Sequence, residues 1–297
     1  MDNSGEATAV MRSLDDYIAQ AKDLVPAPQV LPQILPLLHQ PEVDTRTVVD
    51  LIAYNQTLTA NVLRVCNSAY YAPKTRIDSL YAAVTLVGFR QIHDIVISVI
   101  SAAALAHPQT GYGVEADDLW GHSVATALAT QIVARDCSAD QQTAFTAGIL
   151  HDIGKIVLSV ALEDAKDKVA QMATQESLSP YEIEMKLLGV NHAEAGGRLL
   201  ERWNLPENLT AAVRYHHQPA GAQGNEQLAA CVFMGNFIAY LMGYGYGKYS
   251  LDLQAREEAL GILSLTPEKI LEFKEQGLRN LAHVKNLYNL KQFPSRP

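Results

Sequence analysis

Five of the nine histidines in this chain stand in settings that a solvent-facing histidine does not need. His151-Asp152 closes the small, apolar run Ala147-Gly148-Ile149-Leu150. A charged pair at the end of such a run is drawn inward, and buried charge needs a partner or a metal. His122 follows Asp118 by four residues, so the two share a helical face. His192 lies just inside the start of a helix that Asn191 can cap, and His216-His217 end an amphipathic helix that begins after Pro206. Imidazole nitrogen and carboxylate oxygen suit zinc, iron, manganese or nickel. No thiolate joins them, so this is not the ligand set of a structural zinc finger.

Adjacent residues project about 100° apart on a helix, so both members of His151-Asp152 or His216-His217 can face one centre only where several helices converge. A carboxylate between two ions could bridge them, and such a centre makes water acidic enough to attack phosphorus. Spacing alone leaves a plainer arrangement open: a hydrogen-bonded His151-Asp152 pair that locks helix packing, with the other histidines as polar core residues satisfied by one another. His39, His93, His107 and His283 receive no role.

The elements that must carry these residues read as helices almost throughout. Leu58, Val62, Val65 and Cys66 form one apolar stripe, Leu80, Ala83, Val84 and Val87 a second, and Ile92, Ile95, Val96, Val99 and Ile100 a third. Two-residue alternation and Asn-Gly or Asp-Gly hairpin signals are scarce or missing, so the fold class is all-α. Ser138 with Gln141, and Ser179-Pro180 with Glu182, read as helix starts; Asn191 with Glu194 repeats the logic, and Gly189 reads as a stop. Turn composition at His107–Gly113, with Gly-rich stretches at Gln218–Glu226 and Gly243–Gly247, suggests a lead-in helix over 1–24, a helical unit over 25–110, a second over 111–245, and helices over 246–297.

A net charge of −9 disfavours wholesale binding to a phosphate backbone. Cys66, Cys137 and Cys231 are odd in number and far apart in the chain, as expected of reduced thiols in a cytoplasmic protein. The start Met1-Asp2-Asn3-Ser4-Gly5-Glu6 lacks a basic and then apolar leader. The greasiest run, Ile95–Ala106, is short of the roughly twenty residues that a membrane helix needs. Neither secretion nor a membrane is expected.

The segment Gly148-Ile149-Leu150-His151-Asp152-Ile153-Gly154-Lys155 closely resembles the signature of the HD superfamily. Gly189-Val190-Asn191-His192-Ala193-Glu194-Ala195-Gly196-Gly197-Arg198, Trp203-Asn204-Leu205-Pro206 and Val213-Arg214-Tyr215-His216-His217-Gln218-Pro219 are similar to stretches of HD-GYP and HDOD proteins. Leu31-Pro32-Gln33-Ile34-Leu35-Pro36, the helix ending Cys66-Asn67-Ser68-Ala69-Tyr70 and the run Ile77–Gly88 resemble HDOD proteins in particular. The likeness spans about residues 25–245, and the Gly-Tyr-Pro motif of the HD-GYP enzymes is not found.

This resemblance implies two packed helical bundles, an HDOD subdomain followed by an HD-like core that holds the site. It implies metal ligands at His122, His151, Asp152, His192, His216 and His217, with Asp152 bridging, Asp118 as an added acidic ligand and Lys155 on a substrate phosphate. It departs at Asn236, where active HD enzymes usually carry an aspartate; a neutral oxygen there holds a dication less well. One or two divalent ions are implied, with iron, manganese, zinc and nickel not distinguished.

Two functions follow from the resemblance. The first is an HDOD-type regulatory protein in signal transduction, with a metal site and little or no catalysis. It would act on a separate protein partner, a nucleotide ligand or another copy of the chain. The second is a metal-dependent phosphohydrolase acting on a nucleotide or cyclic dinucleotide, with Asp152 and Lys155 as catalytic residues.

Overall fold

The apolar stripes of the sequence are the inner faces of helices in the computed structural model, which describes residues 13–21, 31–38, 45–53, 56–68, 70–105, 108–245 and 253–284. Among these residues there is no strand, only an isolated bridge between Gln109 and Val114, and the fold is all-helical. His39 and His107 lie outside the described residues, as do Tyr246 and Gly247 of the Gly243–Gly247 turn and the ends of the chain.

Helices α2 (Leu31–Leu38), α3 (Thr45–Ala53), α4 (Gln56–Cys66), α5 (Leu80–Val87) and the first half of α6 (Phe89–Leu105) enclose one apolar core. Leu58, Val62, Val65 and Cys66 are buried in it with Leu80, Ala83, Val84, Ile92, Ile95 and Val96. Asn67 pins this unit where α4 ends. Its side-chain amide donates to the Leu63 and Ile77 carbonyls, and its oxygen accepts from the Ile77 amide.

A second core is built around α7 (Ala116–Asp136), α8 (Gln141–Leu150) and α14 (Glu226–Leu241). Every residue of α8 from Thr143 to Leu150 is buried, as befits a helix apolar on all sides. Glycines let this trio cross closely: a Cβ on Gly148 would meet Ala127 and Thr130, and one on Gly235 would meet Thr130. Around the trio lie α9 (Gly154–Leu162), α12 (His192–Arg202) and α13 (Glu207–Arg214), while α10 (Lys166–Gln175) and α11 (Pro180–Leu188) close a smaller third core of Val169, Met172 and Ile183 on Leu162 at the end of α9. The late helices α15 (Leu253–Leu263) and α16 (Pro267–Val284) add Ala259, Leu260, Phe273 and Leu281 to the same core.

The early helix α1 (Leu14–Gln20) also packs here, against α9 and α12, and its Tyr17 and Ile18 are buried. Helix α6 contributes to both cores, through Ile92 and Val96 to the first and Ile97 and Leu105 to the second.

Among the described residues one helical stretch, 141–175, is long and apolar enough to cross a membrane by length and composition, and 89% of its apolar window is buried inside the protein. That stretch is broken at His151–Ile153, where α8 gives way to α9. Cys137 and Cys231, distant in the chain, meet thiol to thiol between α7 and α14, and burial pushes the Cys66 thiol up to about 11.

Two helix starts and one stop fall where the sequence puts them. Ser179 and Glu182 form a reciprocal capping box with Pro180 in the first turn. Asn191 accepts from the Glu194 amide, and Gly189 ends α11 in the left-handed region at φ 71°. The Ser138–Gln141 box does not form. Ser138 sits in a left-handed turn at φ 57°, and Asp140, adjacent to the first turn, accepts from the Thr143 amide instead.

Candidate metal centre

Three junctions of this fold converge on Asp152. The turn between α8 and α9 carries His151 and Asp152, the Asn191 cap sets His192 as the first residue of α12, and α13 ends just before His216 and His217. Gly154 permits the approach of α9 to α12. A Cβ there would run into the His192 carbonyl and the Gly196 amide. Helix α7 delivers His122 from the far side, and its ring centroid lies 5.1 Å from that of His151.

The four imidazoles nearest Asp152 are held in one sense. His122 Nδ1 bonds the Tyr244 carbonyl at 2.7 Å, His151 Nδ1 the Gly148 carbonyl at 2.8 Å, and His216 Nδ1 the Val213 carbonyl at 2.7 Å. His192 Nδ1 bonds the Glu184 carboxylate at 2.7 Å. Each acceptor fixes the proton on Nδ1 and leaves Nε2 to face inward. The Nε2 atoms of His122 and His151 stand 3.5 and 3.4 Å from Asp152 Oδ2; those of His192 and His216 stand 3.3 and 3.9 Å from Oδ1.

The two carboxylate oxygens thus each face a pair of imidazoles. His217 completes the Oδ1 side, with its Nε2 3.0 Å from His192 Nε2 and its ring 4.2 Å from that of His216. Donor atoms of His122, His151 and Asp152 form one group within 4.8 Å, and those of His192, His216 and His217 form another.

Asp152 is 1% exposed, and His122, His151, His192 and His216 are no more exposed than that. Burial holds His122 down at about 3, the neighbouring His151 adding to the shift, and pushes His216 and His217 well below the ordinary histidine range. Burial works against the Asp152 charge, but His151, Lys155 and His192 outweigh it and keep the carboxyl well below its usual range. The Nε2 atoms of His151 and His216 make no hydrogen bond at these distances. Buried acceptors turned toward a carboxylate suit a cation between them. The nitrogen and oxygen donor set fits a first-row divalent ion, and the residues present therefore fit the metal that the sequence motif implies.

Lys155 is not a surface lysine. It folds back one turn so that Nζ lies 2.7 Å from Asp152 Oδ2, at 4% exposure. Asp118 is half-buried one turn before His122 and stands outside both donor groups. Asn236 is 5% exposed on α14; one turn later Tyr240 sets its ring 5.3 Å from His122.

Sequence reasoning missed Glu184 and Tyr112. Glu184 is fully buried, accepts the His192 backbone amide at 2.6 Å as well as Nδ1, and receives the Tyr112 hydroxyl at 2.8 Å. A signal was available: Glu184 precedes Leu187 and Leu188 by three and four residues, which puts it on the apolar face of α11.

Residues 24–219 match the HDOD domain family. A Treponema pallidum protein is 26% identical over 243 residues, which cover 80% of this chain and 46% of that protein, so the chain spans less than half of its relative. Among solved structures, an HDOD domain protein from Geobacter sulfurreducens aligns with a TM-score of 0.75 at 20% identity, covering 93% of this chain and 99% of that one. A candidate phosphohydrolase from Shewanella amazonensis aligns at 0.69 and 21%, covering 93% and 98%. A candidate signal transduction protein from Marinobacter aquaeolei aligns at 0.71 and 23%, covering 93% and 65%. These structures share the fold in which Asp152 and its histidines meet, and the match over residues 24–219 takes in all of those side chains. The chain belongs to the HDOD domain family.

Proposed function

We propose that this chain is an HDOD-type regulatory module that binds one or two divalent metal ions and turns over little or no substrate. The observation that carries this reading is the pairing of four inward Nε2 atoms with the two oxygens of Asp152. His122, His151 and Asp152 would hold one ion, and His192, His216 and His217, with the second Asp152 oxygen, another. A divalent ion at this centre supplies Lewis acidity toward a phosphoryl oxygen.

The near-complete burial of Asp152 and its four imidazoles favours regulation over turnover, because a hydrolase must admit a phosphate to its metal. The neutral Asn236 oxygen, in place of a carboxylate, favours the same side. The partner that reads the module would be a separate protein, a nucleotide or a second copy of the chain.

A phosphohydrolase is the second reading, and Lys155 supports it, since a buried ammonium beside Asp152 could hold a phosphate oxygen. The half-buried edge at His217 and Tyr181, whose rings lie 5.1 Å apart, is where a substrate would enter.

Elemental analysis of protein purified without added metal, followed by a phosphodiesterase screen with manganese or iron, separates the readings. Bound metal without turnover supports the regulatory module. Turnover that Asp152→Ala abolishes while the helical fold persists supports the hydrolase. A protein that takes up no metal under any condition refutes both.

A further inference from the structure

Of the four imidazoles that face Asp152, three are anchored by backbone carbonyls, two of them only three residues away in the chain: Gly148 for His151 and Val213 for His216. His192 differs, because its Nδ1 anchor is a side chain on another helix. Both oxygens of Glu184 approach His192 Nδ1, at 2.9 and 2.7 Å, while Oε2 also accepts the His192 amide. Backbone anchors move only with their own turn; a side-chain anchor can be moved by whatever holds it.

Tyr112 holds it. Burial and the Glu184 carboxylate both push the phenol well above its ordinary pKa, so the hydroxyl remains a donor to Oε1. Tyr112 belongs to the turn before α7, closed by paired bonds between Gln109 and Val114. The Gly111 amide ties that turn to the Ser159 hydroxyl at 3.1 Å and Thr110 ties it to Glu163 at 2.9 Å, both across to α9 and its end. A Cβ on Gly111 would meet the Ser159 carbonyl, so the turn seats directly on the backbone of the helix that follows Asp152.

We propose that Glu184 is the positioning residue of the His192 side of the centre, and that Tyr112 couples the seating of the 109–114 turn to the affinity of that side for a divalent cation. The inference rests on the metal reading above and adds to it the route by which metal occupancy responds to the turn. Glutamate, as an acceptor only, holds the His192 proton on Nδ1. Glutamine can donate or accept and leaves either tautomer open.

The test follows imidazole ¹⁵N resonances of the full chain during zinc titration, for wild type, Glu184→Gln and Tyr112→Phe. In Glu184→Gln the zinc dissociation constant read at His192 is expected to rise about 10–100-fold, with that read at His122 unchanged. The metal-free variant is expected to show mixed His192 tautomers where wild type shows one. Tyr112→Phe, which keeps the ring, is expected to weaken zinc at His192 by about fivefold and to leave His122 alone. A single, unchanged His192 tautomer in Glu184→Gln overturns the positioning role, and equal weakening at both histidines, or none in Tyr112→Phe, overturns the coupling. A wild type that binds no zinc instead overturns the metal reading, while the tautomer of the metal-free variant still decides the role of Glu184.

Discussion

The Lys155 ammonium lies 2.7 Å from Asp152 Oδ2, and the two side chains are sealed from solvent at 4% and 1% exposure. That oxygen is also the one toward which His122 and His151 turn. The protein thus supplies its own cation at the edge of a donor set suited to another.

Replacement of that cation should strengthen metal binding. Two positive groups on one carboxylate repel, at about 4 kcal/mol for unit charges 4 Å apart in a partly screened interior. Lys155→Met is expected to tighten zinc by about tenfold or more and to destabilise the metal-free protein, because it leaves Asp152 without its counter-ion. Zinc competition against a chromogenic chelator reads the affinity, and binding equal to or weaker than wild type refutes the competition.

The buried histidines make metal-free stability depend on pH. His122, held at about 3, and His216 and His217, held well below normal, take up protons near 6.5 only when the chain unfolds. Their neutral forms stabilise the fold fully above about pH 6.5, and each loses about 1.4 kcal/mol per unit as pH falls from there. Asp152, held below its usual range, adds a further loss only beneath about 3.8. Urea unfolding of the metal-free protein should show a steep fall from about pH 7 to pH 5; a flat profile contradicts buried neutral imidazoles.

Gly154 is where helix crossing and chemistry meet. Gly154→Ala forces a Cβ onto the His192 carbonyl and should cost about 1–3 kcal/mol. It should also lower metal content, because it pushes His192 away from Asp152. Gly224→Ala, at a positive φ with open space around it, is the control: it should lose about 1 kcal/mol and no metal. Equal metal content in the two variants would falsify the role of this crossing.

Asn236 tests what one charge does at the edge of the centre. It is 5% exposed, on the helix that brings Tyr240 against His122. Asn236→Asp should lower the melting temperature without metal, since it buries a charge, and should enlarge the rise in melting temperature that zinc gives. A substitution that shifts both states alike places residue 236 outside reach of the ion.

The match between stripes and buried faces in α4, α5 and α6 explains why the fold class was legible: helical periodicity is local, and burial follows from it. The caps at Ser179 and Asn191 were legible for the same reason, since a cap is a contact over three residues. The Ser138 start misled because Asp140, two residues closer to the helix, is the cap, bonding the Thr143 amide. Segment boundaries reveal less, since α1 and α16 join a core whose middle is α7, α8 and α14.

His122, His151, Asp152, His192, His216 and His217 could be named from the sequence, because each stands in a recognisable local pattern. What the sequence could not supply was their partners. Glu184 and Tyr112 are 72 residues apart, and nothing near either one announces the other. Only the packing of α11 and the 109–114 turn around α9 makes that pair, sets Lys155 inward and divides four imidazoles between two oxygens. Local pattern fixes which side chains are present on a helix face; which faces meet, and at what distance, is decided by close packing across the whole chain.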